Sequence, residues 1–247
     1  MKKIFETLKA KWAEYLLEMF VITFGIIGAF MLNSWNDSRM KRADELHYLE
    51  NIKRDINLNI AQIDDYIDDR NRKIESAGVI LSHFEGVSIE DPNNFNSHLQ
   101  NIYTWQRFFQ INNTFLELTY SGNLALISSD SIKNELLNLE KLYQVMKAEE
   151  DHFRFDSETA LFEPAYRTQD INRFVGKYLF NLTDGAMGKD VNLEPEEFSH
   201  ILNDLKQKNG FVMALLEFSV MNEQMAEMKT TSEKLIRLIE NEIKTDQ

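Results

Sequence analysis

The sequence predicts an all-α protein in which an N-terminal transmembrane helix continues into a long stalk-like helix, and a helical bundle follows. Three observations support this fold class. In the largely apolar segment from Leu16 to Leu32 the only charged residue is Glu18. Downstream, apolar residues recur mostly at three- and four-residue spacing, which is the heptad-like pattern of packed helices and coiled coils. Only nine glycines and three prolines occur in 247 residues, so little turn-forming material is present for a many-stranded sandwich or barrel.

The apolar segment has the composition of a membrane-spanning helix. Ten of its residues are Leu, Ile, Phe or Val, and each favours insertion by about 0.3–0.6 kcal/mol at the helix centre, which outweighs one acid near a helix end. Trp12, Tyr15 and Trp35 flank it as interfacial aromatic residues do. Because no small-x-small cleavage site follows, an uncleaved anchor fits better than a signal peptide. The alternative is a buried core helix of a soluble protein.

We therefore divide the chain into a short cytoplasmic leader (1–14), a transmembrane helix (15–35) and an acidic all-helical domain (36–247). Basic residues are nearly balanced between the two flanks of the span, so their count does not fix the orientation. Long domains translocate largely regardless of charge. We expect a single-pass protein of the cytoplasmic membrane with its C-terminal domain in the periplasm.

One face of the predicted span carries an acid and small residues. Glu18, Gly25, Gly28 and Ala29 share a stripe at helical spacing. Gly25 and Ala29 form a small-xxx-small pair, which lets a second helix approach closely. This pattern predicts a homo-oligomer or a membrane-protein partner. The alternative is that Glu18 reaches toward the headgroups and the glycines are incidental.

Helix signals continue from the span to the middle of the chain. The first helix is expected from about Asp37 to Phe84, with the charged stretch 64–73 as a solvated face carrying opposite charges in i, i+4 reach. A loop over 86–96 and a second helix over about 95–110 follow, and Gly122 ends the next helix because glycine tolerates the left-handed conformation.

The second half of the chain continues the helical pattern. Ser129 or Asp130 caps a helix whose apolar face is Ile132, Leu136, Leu139, Tyr143, Met146 and Phe153. A turn surrounds Gly185 and Gly188, and Pro195 opens a helix whose first turn is acidic. Asn209-Gly210 is expected to separate that helix from a last one over about 211–243.

Composition and motifs exclude several functions. A net charge of −13 opposes phosphate neutralisation, so no nucleic-acid partner is expected. Without cysteine the chain has no disulfide, thiol nucleophile or thiolate metal site. The sequence contains no Walker loop, glycine-rich dinucleotide turn, Gly-x-Ser-x-Gly or His-Glu-x-x-His motif. We therefore assign no catalytic residue and no cofactor.

Two Glu-x-x-His pairs are the only metal-site candidates. Glu149 and His152 form one pair, and Glu197 and His200 form the other; paired Glu-x-x-His motifs hold the metals of ferritin-like di-iron bundles. Such a site also needs a glutamate from each of two further helices. Glu197 and His200 flank the apolar stripe of their helix, which favours a solvated face over a metal site.

The segment KWAEYLLEMFVITFGIIGAFMLNSWNDSRMKR resembles the anchor of a Bacteroidota family of single-pass membrane proteins with a helical domain of unknown function. Glu18, Gly25, Gly28 and the Asn-Ser-Trp-Asn exit at 33–36 carry this resemblance. The piece FLELTYSGNLALI, Phe115 to Ile127, also resembles that family's central segment. The resemblance implies a single-pass membrane protein and brings no catalytic residues.

Three classes of function remain. The leading hypothesis is a membrane-anchored, non-enzymatic interaction or scaffold protein. The second is an extracytoplasmic sensor or ligand-binding bundle that signals through a partner, since one span and a short leader leave no room for an output domain. The third is a di-metal carboxylate enzyme.

Overall fold

The computed structural model describes residues 2–245, with side chains from Trp12 onward, and confirms the all-α class. The described residues contain no strand. A π-helical turn over Glu158–Phe162 joins two of the helices, and a 3₁₀ turn lies at Pro195–Phe198. The helices are α1 (Lys2–Phe84), α2 (Pro92–Tyr103), α3 (Asn113–Tyr120), α4 (Asp130–Ser157), α5 (Glu163–Thr168), α6 (Ile171–Leu182), α7 (Ser199–Leu202) and α8 (Leu205–Lys244).

Helix α1 runs without interruption from the apolar segment into the domain, as the sequence predicts. No proline lies within it. No residue from Trp12 to Asp44 is buried, and burial begins at Glu45. The part that emerges from the apolar segment is therefore only a short stalk, and the remainder of α1 is itself a core helix of the bundle.

The bundle has four legs that alternate in direction. The first is α1; the second consists of α2, residues 104–112 and α3; the third is α4; and the fourth is α8. We call the end next to Arg42 the base and the end next to Phe84 the far end. Helix α8 runs antiparallel to α1, because Arg42 pairs with Glu242 at the base and Phe84 packs on Phe211 at the far end. This is an up-down-up-down arrangement.

The core is built from the apolar stripes that the sequence pattern indicates. All six apolar positions predicted for α4 are buried, and so are Met225, Met228, Leu235 and Ile239 of α8. Burying such side chains contributes about 1.5–3 kcal/mol each. Helices α6 and α7 close the far end, where Phe198 packs against Phe95 and Phe174.

Helix α8 differs from its prediction, because Asn209-Gly210 does not separate two helices. Asp204 caps α8, which passes through Gly210 without a break. A Cβ atom added to Gly210 would lie 2.6 Å from Leu161 Cδ2 and 2.9 Å from Ala160 Cβ. The glycine therefore allows the π-helical turn to approach α8 closely, and it does not mark a helix end.

Two other helices are shorter than predicted. Helix α2 begins at Pro92, capped by the Asp91 carboxylate, and ends at Tyr103 instead of near residue 110. Pro195 opens only the 3₁₀ turn, which leads into the four-residue α7. Two predicted boundary residues near α4 are confirmed. Gly122 follows the end of α3 at φ +73°, and Ser129 caps the start of α4.

Replacing Gly210 by alanine tests this close approach. We expect Gly210→Ala to lower the free energy of unfolding by about 1–3 kcal/mol, because the added methyl overpacks the contact with Ala160 and Leu161. Gly78→Ala is the matched control, since Gly78 is also helical and its Cβ position has no neighbour within 4 Å. The control should gain about 0.5–1 kcal/mol from helix propensity. Denaturant unfolding in detergent, followed by circular dichroism, measures both; a gain in both variants would contradict the packing.

Candidate functional site

The apolar N-terminal part of α1 is the first candidate site. Within the described residues, one helix is long and apolar enough to cross a membrane, and its most apolar window has a mean hydropathy of 2.0. None of that window is buried, so the segment is not a core helix of this chain. Phe24 is 68% exposed and Phe30 is 75% exposed. A continuous apolar surface of this kind marks an interaction with lipid or protein.

The predicted packing stripe lies on this exposed surface. Glu18, Gly25 and Ala29 are exposed, and Gly28 is only partly covered. A Cβ atom placed on Gly25 or Gly28 would meet nothing within 4 Å. The small residues therefore leave a shallow surface on α1 that no other part of the described chain fills.

A buried carboxylate joins this helix to the base of the bundle. Glu45 is 3% exposed and accepts hydrogen bonds from Ser128 N at 2.5 Å, Ser128 Oγ at 2.7 Å and Arg42 Nη1 at 2.6 Å. Burial by itself would raise the pKa of Glu45, but these hydrogen bonds outweigh it and hold the pKa below its usual value. Arg42 also pairs with Glu242 at 2.9 Å. The start of α4 and the end of α8 are thereby both tied to α1 next to the stalk.

Further along α1, buried polar side chains bond to the backbone of the second leg. The Asp55 carboxylate accepts from Thr114 N at 3.1 Å and from Thr114 Oγ1 at 2.7 Å. Asn59 donates to Ile111 O at 2.8 Å and accepts from Ile111 N at 2.7 Å. These are the backbone groups that a continuous helix would have paired internally.

A buried ion pair continues this row of polar contacts. We call Asp55, Asn59, Arg70 and Glu150 together the polar ladder. The Glu150 carboxylate of α4 accepts from Arg70 of α1 and from Phe108 N at 2.9 Å. Arg70 and Glu150 are each 2% exposed. Burial raises the pKa of Glu150 and lowers that of Arg70, and the attraction between the two opposes both shifts.

The charged stretch 64–73 is thus only partly the solvated face that the sequence predicts. Its expected i, i+4 pair forms between Asp69 and Lys73 at 2.9 Å. However, Arg70 and Lys73 are buried. Each long side chain reaches a partner in the protein, which periodicity of apolar residues does not reveal.

The two predicted Glu-x-x-His pairs do not meet. Glu197 accepts from Arg173 Nε at 2.7 Å and from Glu194 N at 2.8 Å, so its carboxylate caps the 3₁₀ turn. His200 is exposed on α7. Glu149 and His152 lie on α4. The geometry therefore does not assemble the four residues into a di-metal centre.

His152 instead belongs to a different group, which we call the α4–α8 cluster: His152 and Asp156 of α4 and Glu217 of α8. The potential metal-ligand atoms of these three residues all lie within 4.8 Å of one another. In the described part of the chain, no other group of three or more His, Cys, Asp or Glu residues meets this condition. The i, i+4 spacing of His152 and Asp156 indicates a shared helix face. The contribution of Glu217 could not be found from the sequence, because it depends on how α8 packs against α4.

Glu217 is the buried member of the cluster. It is 5% exposed, and neither carboxylate oxygen accepts a hydrogen bond. His152 Nδ1 lies 3.3 Å from Glu217 Oε1. Burial raises the pKa of Glu217 to about 7, with further increases from Asp156 and Glu149 and an opposing effect from His152.

Comparison with known proteins offers no relative from which function could be transferred. No protein-family model matches the chain, and neither the curated proteins nor the solved structures contain a significant match. The features of the molecule that bear on its function are the exposed helix, the base contacts and the α4–α8 cluster.

Removing one member of the buried ion pair tests the polar ladder. We expect Arg70→Met to lower the free energy of unfolding by about 3–5 kcal/mol, because it leaves Glu150 buried without its counter-charge. Arg72→Met is the matched control, since the Arg72 side chain is 62% exposed and its loss should change stability by less than about 0.5 kcal/mol. Denaturant unfolding of the full chain measures the difference. Equal stability of the two variants would show that the pair does not support the core.

Proposed function

We propose that this is a single-pass membrane protein that acts as a non-enzymatic interaction or scaffold subunit. Residues 15–35 span the cytoplasmic membrane, and the bundle lies on its outer side. The observation that carries the proposal is that an exposed apolar segment belongs to the same helix as the bundle core. At 1.5 Å per residue, 15–35 extends about 31 Å, which matches the roughly 30 Å hydrocarbon thickness of a bilayer.

The base contacts support a positioning role for the anchor. A bundle on a flexible linker would be free to tumble, whereas here Arg42 pairs with Glu242 of α8 and Glu45 binds Ser128, just before α4, immediately after the stalk. The orientation of the bundle is therefore fixed relative to α1. A protein that holds a partner at a defined distance from a membrane needs such rigidity.

Charge supports a bundle that stands away from the lipid. Residues 1–35 carry a net charge of +1, which leaves −14 on residues 36–247 of the total −13. Anionic headgroups repel an acidic domain of this kind. Its contacts are expected with proteins and not with nucleic acid.

The stripe of Glu18, Gly25, Gly28 and Ala29 is the proposed contact surface within the membrane. Small residues let two helix backbones approach closely, and an acid inside a bilayer is more stable facing a partner than facing lipid. The partner is a second copy of this chain or the span of another membrane protein. The resemblance to the Bacteroidota family agrees with this architecture and supplies no partner.

A surface cleft favours the ligand-binding alternative. It is an open cleft of about 620 Å³ between α1, α2 and α6, a volume within the usual range for small-molecule sites. Its most buried charge, Lys73, already pairs with Asp69 at 2.9 Å and lies 3.4 Å from Asn101 Oδ1. Because Lys73 already has partners within the protein, the interaction role is better supported.

Single cysteines test the topology, since the natural chain contains none. We expect an impermeant maleimide to label Glu227→Cys, at an exposed position of α8, in intact spheroplasts. Thr7→Cys in the leader should react only after permeabilisation. The protein should also remain in membranes washed with alkaline carbonate. The reverse labelling pattern would place the bundle in the cytoplasm, and release by carbonate would overturn the anchor.

Bulky substitutions test the contact surface in the membrane. Gly25→Leu with Ala29→Leu should weaken association about tenfold, equivalent to about 1.4 kcal/mol, because the helices can no longer approach closely. Chemical crosslinking of native membranes followed by mass spectrometry quantifies either a dimer or another partner. Thr23→Leu with Ile27→Leu, on the opposite face, is the matched control and should leave association unchanged. Equal crosslinking of the two double variants would contradict the proposed contact surface but not the membrane anchor.

A further inference from the structure

We propose that His152, Asp156 and Glu217 bind one divalent transition-metal cation of the Zn²⁺ class between α4 and α8. The proposal concerns a single ion held by the α4–α8 cluster and not the di-metal centre considered from the sequence. It is independent of the membrane anchor, so the two proposals can fail separately.

The geometry of the cluster fits a cation. His152 and Asp156 are one helical turn apart on α4 and therefore face the same side, and Glu217 approaches from α8. The potential ligand atoms lie within 4.8 Å of one another. Two ligands about 2.0–2.1 Å from a tetrahedral zinc ion are about 3.3–3.4 Å apart. The 3.3 Å between His152 Nδ1 and Glu217 Oε1 has that spacing, whereas Asp156 Oδ2 lies 3.9 Å from the other ring nitrogen of His152 and must move closer to bind the same ion.

The second, independent observation is that the buried Glu217 carboxylate accepts no hydrogen bond. Buried carboxylates are normally hydrogen-bonded, paired with a charge or bound to a metal. Glu45 and Glu150 are buried to the same degree, and each accepts hydrogen bonds from both a side chain and a backbone amide. Both carboxylate oxygens of Glu217 accept none. Oε1 has His152 Nδ1 3.3 Å away as an ion-pair partner, and a cation between the two side chains would bind the carboxylate as well.

The donor set indicates the class of cation. Imidazole favours first-row transition metals over Mg²⁺ and Ca²⁺, and two carboxylates suit Zn²⁺ or Mn²⁺ better than the softer Cu(I). Three protein ligands leave one position of a tetrahedral ion open. The His152 side chain is 58% exposed, so solvent reaches the cluster from that side and a water molecule can take this position. Glu149 adds further negative charge beside the cluster and raises the pKa of Glu217.

Zinc titration of the full-length chain in detergent tests the proposal. The protein is prepared without a histidine tag, stripped with a chelator and titrated with Zn²⁺ in competition with a chromogenic chelator. We expect one Zn²⁺ per chain with a Kd of about 1 µM or tighter. Glu217→Gln and His152→Gln should each weaken binding more than about 100-fold, because loss of even an outer-shell partner changes metal affinity 10–100-fold. Saturating Zn²⁺ should raise the Tm of the natural chain but not that of Glu217→Gln.

Matched controls separate this site from adventitious binding and from misfolding. Glu227→Gln on the exposed face of α8 and His200→Gln on α7 should bind zinc as the natural chain does. Glu217→Gln preserves side-chain volume and removes a buried charge, so its helicity and metal-free stability should equal or exceed those of the natural chain. Zinc affinity unchanged in Glu217→Gln or His152→Gln, or Mg²⁺ affinity equal to that of Zn²⁺, overturns the proposal. No zinc binding by the natural chain also overturns it.

Discussion

The bundle depends on hydrogen bonds to the non-helical backbone between α2 and α3, which lies beside the core in the second leg. Residues 105–111 join α2 to α3 outside any helix, and unpaired backbone groups there would each be destabilising by about 1–3 kcal/mol. Asn59 and Glu150 supply partners for Ile111 and Phe108 from the neighbouring legs, and Asp55 accepts from Thr114 N in the first turn of α3, where a helix leaves its N–H groups unpaired. The polar residues in the middle of an otherwise apolar core are therefore explained by the irregular leg beside them.

These hydrogen bonds also fix how the legs align. Apolar stripes on two helices can slide by a turn with modest loss, whereas Asn59 can bond both backbone groups of Ile111 at only one position. Asn222 of α8 performs a similar function by donating to Asn71 of α1 at 2.9 Å. Together with Glu45 at the base, such contacts set the register of α1 against each of the other legs. The exposed apolar segment and the bundle consequently belong to one continuous helix, α1.

The sequence predicts the parts of this structure that arise from local chemistry. Periodic apolar residues identify the buried faces of α4 and α8, and glycine or hydroxyl residues identify the end of α3 and the start of α4. It does not predict features that arise from contacts between distant segments. Gly210 reads as a helix break, but its missing side chain admits Leu161 from another part of the chain. Arg70 reads as a surface charge until the position of Glu150 is known.

The same limit explains why the Glu-x-x-His motifs include only one member of the α4–α8 cluster, His152. A Glu-x-x-His motif reports what one helix presents on one face, and Glu197 satisfies the motif while its carboxylate is used by Arg173 and the turn. A metal site needs ligands with no other partner, and that property depends on the tertiary fold. Among the deeply buried glutamates, Glu45 and Glu150 are already used to hold the legs together, whereas Glu217 contributes no hydrogen bond to any leg. A buried carboxylate needs a charged or hydrogen-bonding partner, and Glu217 has only the ion-pair contact of 3.3 Å with the largely exposed His152; a cation bound between His152, Asp156 and Glu217 would add the interaction that the two other glutamates obtain from hydrogen bonds.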